Sequence, residues 1–250
     1  MDPTSLSTTA LIAAAAEAAI VRSPDDPRLW DLIYALHYRA TREVFVAAAA
    51  WCASSSVGQR RLGAEVLGEL GFEDDFPFAR EAEPVLLRLL GDAEPTVVVE
   101  ALLALGTLGA DNTMAICRLV AHPLVEIRAA LARCLCDLAG PRVIPTLISL
   151  TRDRDAGVRR TATSGLCGLD REDTPDLRAA LVERLGDEDP ETREEAILAL
   201  ALLDDDRVED ALRAACDEPE TSELIEMARM RVESRRDHDP RQPHWPPRPS

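Results

Sequence analysis

The sequence predicts an all-α protein, a right-handed α-solenoid of about six antiparallel helix pairs. Three observations predict it. A helical phrase recurs at residues 57–71, 96–109, 126–140, 157–169 and 191–203, and aligning Leu67, Leu105, Leu135, Leu166 and Leu200 gives steps of 38, 30, 31 and 34 residues. The last four phrases are each preceded by another amphipathic segment, at 82–90, 113–121, 143–151 and 177–185. Turn residues fill the joints between partners, as in Gly91-Asp92-Ala93-Glu94-Pro95, Ala121-His122-Pro123 and Gly186-Asp187-Glu188-Asp189-Pro190. A self-similar period of this size marks units that bury their apolar faces only against their neighbours. The pattern therefore predicts one elongated body.

The elements follow in order. Residues 5–21 read as an Ala-rich helix, and Asp26 with Pro27 supply the cap and first turn of a helix over 28–38. Residues 72–78 form an irregular insert that lengthens the first interval. Inside the phrases, Leu131, Leu135 and Leu138, then Ala162, Leu166 and Leu169, then Ala196, Leu200 and Leu203 keep to one helical face. Gly71, Gly109 and Gly140 sit where a helix would need a left-handed cap. A last helix is expected over 220–233. Residues 235–250 hold five prolines without periodicity and read as a disordered, extended tail. The organisation is thus an atypical, aromatic-rich N-terminal part at 1–53, repeats at 54–234, and the tail at 235–250.

Residues 181–196 (Leu-Val-Glu-Arg-Leu-Gly-Asp-Glu-Asp-Pro-Glu-Thr-Arg-Glu-Glu-Ala) and their counterpart at 147–162 resemble the HEAT-like repeats of the phycobilisome-lyase type. The resemblance covers 76–230 well and 27–71 loosely, and the chain is identified on it as a bacterial HEAT-like repeat protein. It implies the fold and leaves the role open, because such repeats serve many functions. It also implies that the Asp of the turn pairs with the Arg opening the second helix: Asp153 or Asp155 with Arg159, and Asp187 or Asp189 with Arg193. These pairs read as structural ladders.

Composition narrows the partners. The formal charge is −17, all 28 basic residues are Arg, and residues 170–226 alone carry 21 Asp and Glu against six Arg. Such a surface repels phosphate backbones, so nucleic acid is excluded as a partner. It is compatible with a basic protein partner, a toxin for example, while the plainer reading is a solvated, solubilising face. The six cysteines, Cys52, Cys117, Cys134, Cys136, Cys167 and Cys216, lie among apolar neighbours and form no CxxC. Cys134 and Cys136 point about 200° apart on a helix, a poor geometry for sharing a metal. They are expected to be reduced and structural. Residues 1–9 lack a basic region, and the longest apolar run, 44–53, is half a membrane span. The expectation is a cytoplasmic protein that does not enter membranes.

Eight of the nine aromatic residues precede position 79. On the helix over 28–38, Leu29, Leu32, Ile33 and Leu36 form an aliphatic stripe, and Trp30, Tyr34, His37 and Tyr38 occupy the adjoining arc. Two readings stand: a helix packed on two sides, or an aromatic anchor for a partner. The concave surface, formed by the second helix of each pair, is a further candidate. It carries Arg61, Glu65 and Glu69, then Val99, Leu103 and Thr107, then Ala129, Arg133 and Asp137, then Arg160, Ser164 and Gly168, then Glu194 and Leu198. The tail contains three overlapping PxxP matches, which serve either as a ligand for aromatic grooves or as a spacer.

Enzyme readings fare less well. Deoxyhypusine hydroxylases of this repeat type carry His-Glu pairs, whereas the four histidines here are followed by Tyr38, Pro123, Asp239 and Trp245. No GxSxG, P-loop, GxGxxG or HExxH occurs. No catalytic residue, metal or cofactor is predicted. The function expected is a non-catalytic protein-interaction scaffold or adaptor, binding a protein or peptide on its concave face and through the aromatic patch. The sites expected to carry it are Trp30, Tyr34, His37, Tyr38, Arg61, Glu65, Arg133, Arg160 and Glu194. The alternative is a lyase or lyase subunit acting on a protein substrate.

Overall fold

The computed structural model describes residues 3–21, 26–167, 172–217 and 222–238, with side chains of the last helix as far as residue 235. Among the described residues are fourteen α-helices, four short 3-10 turns and no strand. The chain divides into two compact units, Met1–Arg142 and Val143–Ser250, where the sequence predicts one continuous body. The division follows a connection that holds Gly140, with φ of 149°, and Pro141, neither of which continues a helix.

The first unit contains α1 (Thr8–Val21), α2 (Pro27–Arg39), α3 (Arg42–Trp51), α4 (Val57–Glu69), α5 (Ala79–Leu89), α6 (Pro95–Thr107), α7 (Thr113–Ile116, extended by the 3-10 turn Cys117–Ala121) and α8 (Val125–Cys136). Helices pair as α3–α4, α5–α6 and α7–α8, with α4, α6 and α8 side by side and α1 and α2 packed against α4. The second unit contains α9 (Val143–Leu150), α10 (Ala156–Gly165), α11 (Pro175–Arg184), α12 (Pro190–Leu202), α13 (Glu209–Cys216) and α14 (Glu223–His238). It repeats the scheme in the pairs α9–α10, α11–α12 and α13–α14, with α10, α12 and α14 side by side. Six pairs result, as the period requires.

The five recurring phrases are the second helices α4, α6, α8, α10 and α12. Their aligned leucines, Leu67, Leu105, Leu135, Leu166 and Leu200, are all buried. Leu203 is half-buried, and Leu169 lies outside the described residues. Asp26 caps α2 as expected, its Oδ1 accepting from the Arg28 N–H at 2.8 Å, and Asp155 and Asp189, expected as partners of arginines, cap α10 and α12. Residues 72–78 are irregular as expected, a 3-10 turn followed by left-handed Asp75 and Phe76. The last helix runs on to His238, four residues into the stretch assigned to the tail. Nothing there breaks a helix before the restriction imposed by Pro240. The remainder of the tail, with its PxxP matches, lies outside the described residues.

Close stacking of second helices depends on small residues. A Cβ on Gly68 of α4 would stand 2.7 Å from the Ala104 Cβ of α6, and one on Gly106 of α6 would stand 3.1 Å from the Cys134 Cα of α8. Gly68→Val is therefore expected to destabilise the protein by about 1–3 kcal/mol. Urea unfolding should show it, with Gly91→Ala, whose Cβ would meet only one atom at 3.8 Å, as the near-neutral control.

On α4, α8, α10 and α12 an Arg in the first turn binds main-chain carbonyls of the preceding turn, and on α10 its carboxylate partner is not the expected one. Arg159 takes main-chain carbonyls from its own turn, Asp153 O at 3.0 Å and Arg154 O at 3.4 Å. Its carboxylate partner is Asp187 in the following turn, held by Nε at 3.0 Å and Nη2 at 2.9 Å. Arg60 does the same with Ser54 O, Ser55 O and Asp92, at 2.7 Å from Nε to Oδ2. Arg193 donates to the carbonyls of Asp187 and Glu188. The own-turn carboxylates are already engaged: Asp155 and Asp189 cap helices, while Asp187 accepts the Asp189 N–H at 3.0 Å. The guanidiniums of Arg60 and Arg159 therefore reach forward by one repeat.

Candidate functional site

On α2 the aliphatic stripe faces inward: Leu29, Ile33 and Leu36 are buried and Leu32 is half-buried. His37 stands one helical turn from Ile33 and follows it inward, at 4% exposure, so its expected place in a partner-binding surface is corrected. Burial pushes its imidazole down to about 4, against a hydrogen bond with the main chain of Glu65, and its Nε2 has no hydrogen-bond partner. Tyr34 and Tyr38, also one turn apart, face out at 57% and 61% exposure. Trp30 is half-buried, with its ring centroid 6.1 Å from that of Tyr34. The Tyr38 ring meets Phe72 edge-on at 5.3 Å. Of the aromatic arc, His37 thus belongs to the packing, and the two tyrosines lie at the surface.

The tyrosines line a cleft of 540 Å³ together with Pro3, Thr4, Asp31, Ala35 and Arg39. Arg39 fixes one wall, donating to Leu6 O at 2.5 Å, Thr4 O at 3.1 Å and Thr8 Oγ1 at 3.1 Å. Asp31 and Arg39 went unnoticed in the sequence, because only folding brings residues 3–8 against α2.

The second helices of the first unit present the expected column. Arg61, Glu65, Glu69, Val99 and Ala129 are half-buried, and Leu103, Thr107, Arg133 and Asp137 are exposed. Arg61 pairs with Glu100 at 3.4 Å. Burial and the nearby Glu100 charge raise the Glu65 carboxyl to about 7, and burial raises Glu69 and Glu100 as well. Three carboxyls thus share a half-buried patch with Arg61. Glu100 lay one residue outside the column that periodicity picks out, so the sequence did not flag it.

In the second unit Arg160 is paired with Glu191, and Ser164 and Glu194 are half-buried. Leu198 is buried at 7%, a correction to its expected place on the open face, and Gly168 lies outside the described residues. Glu194 lines a cleft of 280 Å³ with Arg193, Ile197, Ala211 and Ile225. A second cleft, of 430 Å³, is bordered by the turn residues Arg152, Arg159, Glu183, Arg184 and Asp187. Its charges are matched internally: Arg152 holds Glu183 at 2.7 Å, and Arg184 holds Glu183 at 2.7 Å and Asp187 at 2.8 Å. This is architecture rather than an open charged site.

None of the six cysteines is in a disulfide. Cys52, Cys117 and Cys134 are buried, and the other three are half-buried. Burial pushes the Cys52 and Cys134 thiols up to about 12, which keeps them protonated and poorly nucleophilic. Among the described residues, no group of three or more His, Cys, Asp or Glu is placed to hold a metal, and no helix is long and apolar enough to cross a membrane.

Residues 158–231 match the family of HEAT repeats. A stretch of 93 residues is 34% identical to protein YibA of Escherichia coli, covering 37% of this chain and 32% of that protein, so the match spans about a third of the relative's length. The crystal structure of YibA aligns over 92% of this chain and 83% of its own, at 21% identity and a TM-score of 0.71. The archaeal HEAT-like repeats protein from Thermococcus onnurineus NA1 aligns over 88% of this chain and 95% of its own, at 12% identity and a TM-score of 0.61. The complex of CpcE and CpcF of phycocyanin lyase from Nostoc sp. PCC7120 aligns over 92% of this chain and 94% of that chain, at 19% identity and a TM-score of 0.51. At these identities the structural likenesses speak for the fold alone. The chain has the all-α fold of the solenoid class that these proteins share, and residues 158–231 match the HEAT-repeat family.

Proposed function

We propose that this protein is a non-catalytic scaffold that holds a protein or peptide partner, with the cleft on α2 as its anchor. The observation that carries the reading is a pair of adjacent tyrosines, both more than half exposed, lining a 540 Å³ cleft. Aromatic side chains dominate binding energy at protein interfaces, and Tyr combines an apolar ring with a hydrogen-bonding tip. Trp30 and Phe72 extend the apolar surface beside it. Arg61, Glu65, Arg133, Arg160 and Glu194, on the second helices of their respective units, supply polar contacts that select the partner. The acid-rich residues 170–226 favour a basic one.

Affinity capture from the native lysate at low and moderate salt tests the reading, with the wild type compared against Tyr34→Ala/Tyr38→Ala. Both rings are exposed, so the melting temperature of the double variant should stay within about 3 °C of wild type. One stoichiometric partner should survive moderate salt and bind the variant at least tenfold more weakly. Equal capture by both proteins would remove the cleft from the proposal. The likeness to the CpcE and CpcF complex supports a second reading, a lyase subunit acting on a chromophore-bearing protein. That reading predicts bound tetrapyrrole in the purified protein, visible as colour.

A further inference from the structure

Among the described residues, one face of α14 breaks a rule that the other second helices keep. Aligning Arg60, Val98, Arg128, Arg159, Arg193 and Glu226 brings Ala64, Leu102, Ala132, Thr163, Ile197 and Met230 to one position. The first four of these are 0% exposed and Ile197 is 4% exposed, whereas Met230 is 57% exposed. Met227, on the same face three residues earlier, is 52% exposed. This face presents two methionines, which adapt readily to an opposing surface.

Placed on a heptad, the two methionines form an apolar centre that is bounded by the polar residues Glu223 and Ser234. With Met227 at a and Met230 at d, Glu223 and Ser234 continue the stripe, Glu226 falls at g and Arg231 at e. In a parallel pair related by a two-fold axis, the g residue of one helix reaches the e residue five positions on in the other. Glu226 of each copy then faces Arg231 of its mate, twice over. An antiparallel pair would bring equivalent flanks together and set Glu226 towards Glu233. Within the chain, Arg231 also contacts Asp204 at 2.8 Å and Glu226 contacts Arg229 at 2.5 Å, so the charges stand on the two flanks of the stripe in ordered positions.

We propose that the protein self-associates through this helix: a second copy lays its α14 parallel to the first, with Met227 and Met230 at the seam. The helix has 16 residues, under three heptads, and its interface is smaller than a standard one. Association is therefore weak, with a dissociation constant in the micromolar range.

Sedimentation equilibrium of the full chain across that range should show a monomer–dimer equilibrium. Met230→Glu, at an exposed position that leaves circular dichroism and melting unchanged, should weaken the dimer at least tenfold. Ser234→Cys lies at an a position, where two copies of a parallel pair meet across the axis. Under mild oxidation it should give a disulfide-linked dimer on a non-reducing gel while the wild type does not. A monomer at every concentration, or a dimer indifferent to Met230→Glu, would overturn the proposal. A dimer in which Ser234→Cys fails to cross-link would overturn the parallel arrangement. Dissociation by an excess of a peptide of residues 239–250 would overturn it too, by assigning the methionine face to the chain's own tail.

Discussion

Asp187→Ala is expected to destabilise the second unit by about 3 kcal/mol or more, among the largest effects of any single truncation in this chain. The Asp187 carboxylate is 2% exposed and accepts from two guanidiniums, Arg159 at 7% and Arg184 at 12% side-chain exposure. Removing it leaves two cations facing each other in a site that water barely reaches. Glu188, 3.1 Å from Arg159 Nη2, offsets part of the loss, but at 86% exposure it cannot replace a buried partner. Burial alone would raise the Asp187 carboxyl. Hydrogen bonds from Arg159 and from the Asp189 N–H outweigh it and hold the group below its ordinary 3.8. A depressed carboxyl contributes stability that is present above its unfolded value and is lost as pH falls through the folded one. The Asp187→Ala penalty should accordingly be full at pH 7 and shrink on acidification below about pH 4. Urea unfolding followed by circular dichroism measures it. The double variant Arg159→Met/Asp187→Leu should cost less than the sum of the singles, because it removes the pair without stranding either charge. A loss under about 1 kcal/mol for Asp187→Ala would show that the ladder orders the turns without stabilising them.

The same ladder marks where the sequence is legible and where it is not. Periodicity located five second helices because each carries Leu at the same place in its phrase and small residues where backbones approach, as at Gly68 and Gly106. Asp26 announced its helix because capping is local chemistry, whereas Asp155 and Asp189, expected as partners of arginines, turn out to be caps as well. The partner of Arg159 was misread for the opposite reason. Its own turn offers two aspartates nearby in sequence, yet both serve local amides, and the carboxylate it binds lies 28 residues on. The aromatic arc of α2 split along a line that a helical wheel alone does not draw. His37 and Tyr38 are neighbours in sequence, but only His37 stands a full turn from buried Ile33. The tyrosine cleft needed a wall from residues 3–8, fastened by Arg39, which no pattern within α2 could foretell. Glu65 was singled out as a surface contact. What the sequence concealed was Glu100, brought alongside from the next second helix, and with it the electrostatic character of the patch.

That character leads to the second large effect: Glu65→Gln should stabilise the first unit at pH 8 and leave it almost unchanged at pH 5. Burial, the Glu100 charge and, more weakly, Glu69 raise the Glu65 carboxyl to about 7 from the usual 4.5, against the attraction of Arg61. A group whose folded value lies above its unfolded one binds its proton more tightly in the folded state. Its favourable contribution is complete below about pH 4.5 and is lost as pH rises through about 7. At about 1.4 kcal/mol per tenfold, the full interval corresponds to about 3 kcal/mol, which water at this half-buried site reduces to about 2 kcal/mol. Gln cannot ionise, so the variant escapes the loss. Its melting temperature should exceed that of wild type by several degrees at pH 8, with little difference at pH 5. His37 titrates in the opposite sense. Its imidazole, lowered to about 4, contributes stability above its ordinary 6.5 that is lost as pH falls towards 4. That loss is common to both proteins and cancels in the difference between them. Fluorescence of Trp30 and Trp51 reports on this unit, since the third tryptophan is Trp245. An advantage of equal size at both pH values would mean that Glu65 is already ionised at pH 5 and that Gln acts through packing. An advantage confined to high pH would make the Glu65–Glu100 patch a place where the first unit gives up stability near neutrality. A cationic side chain of a bound partner, set between those carboxylates, could restore it.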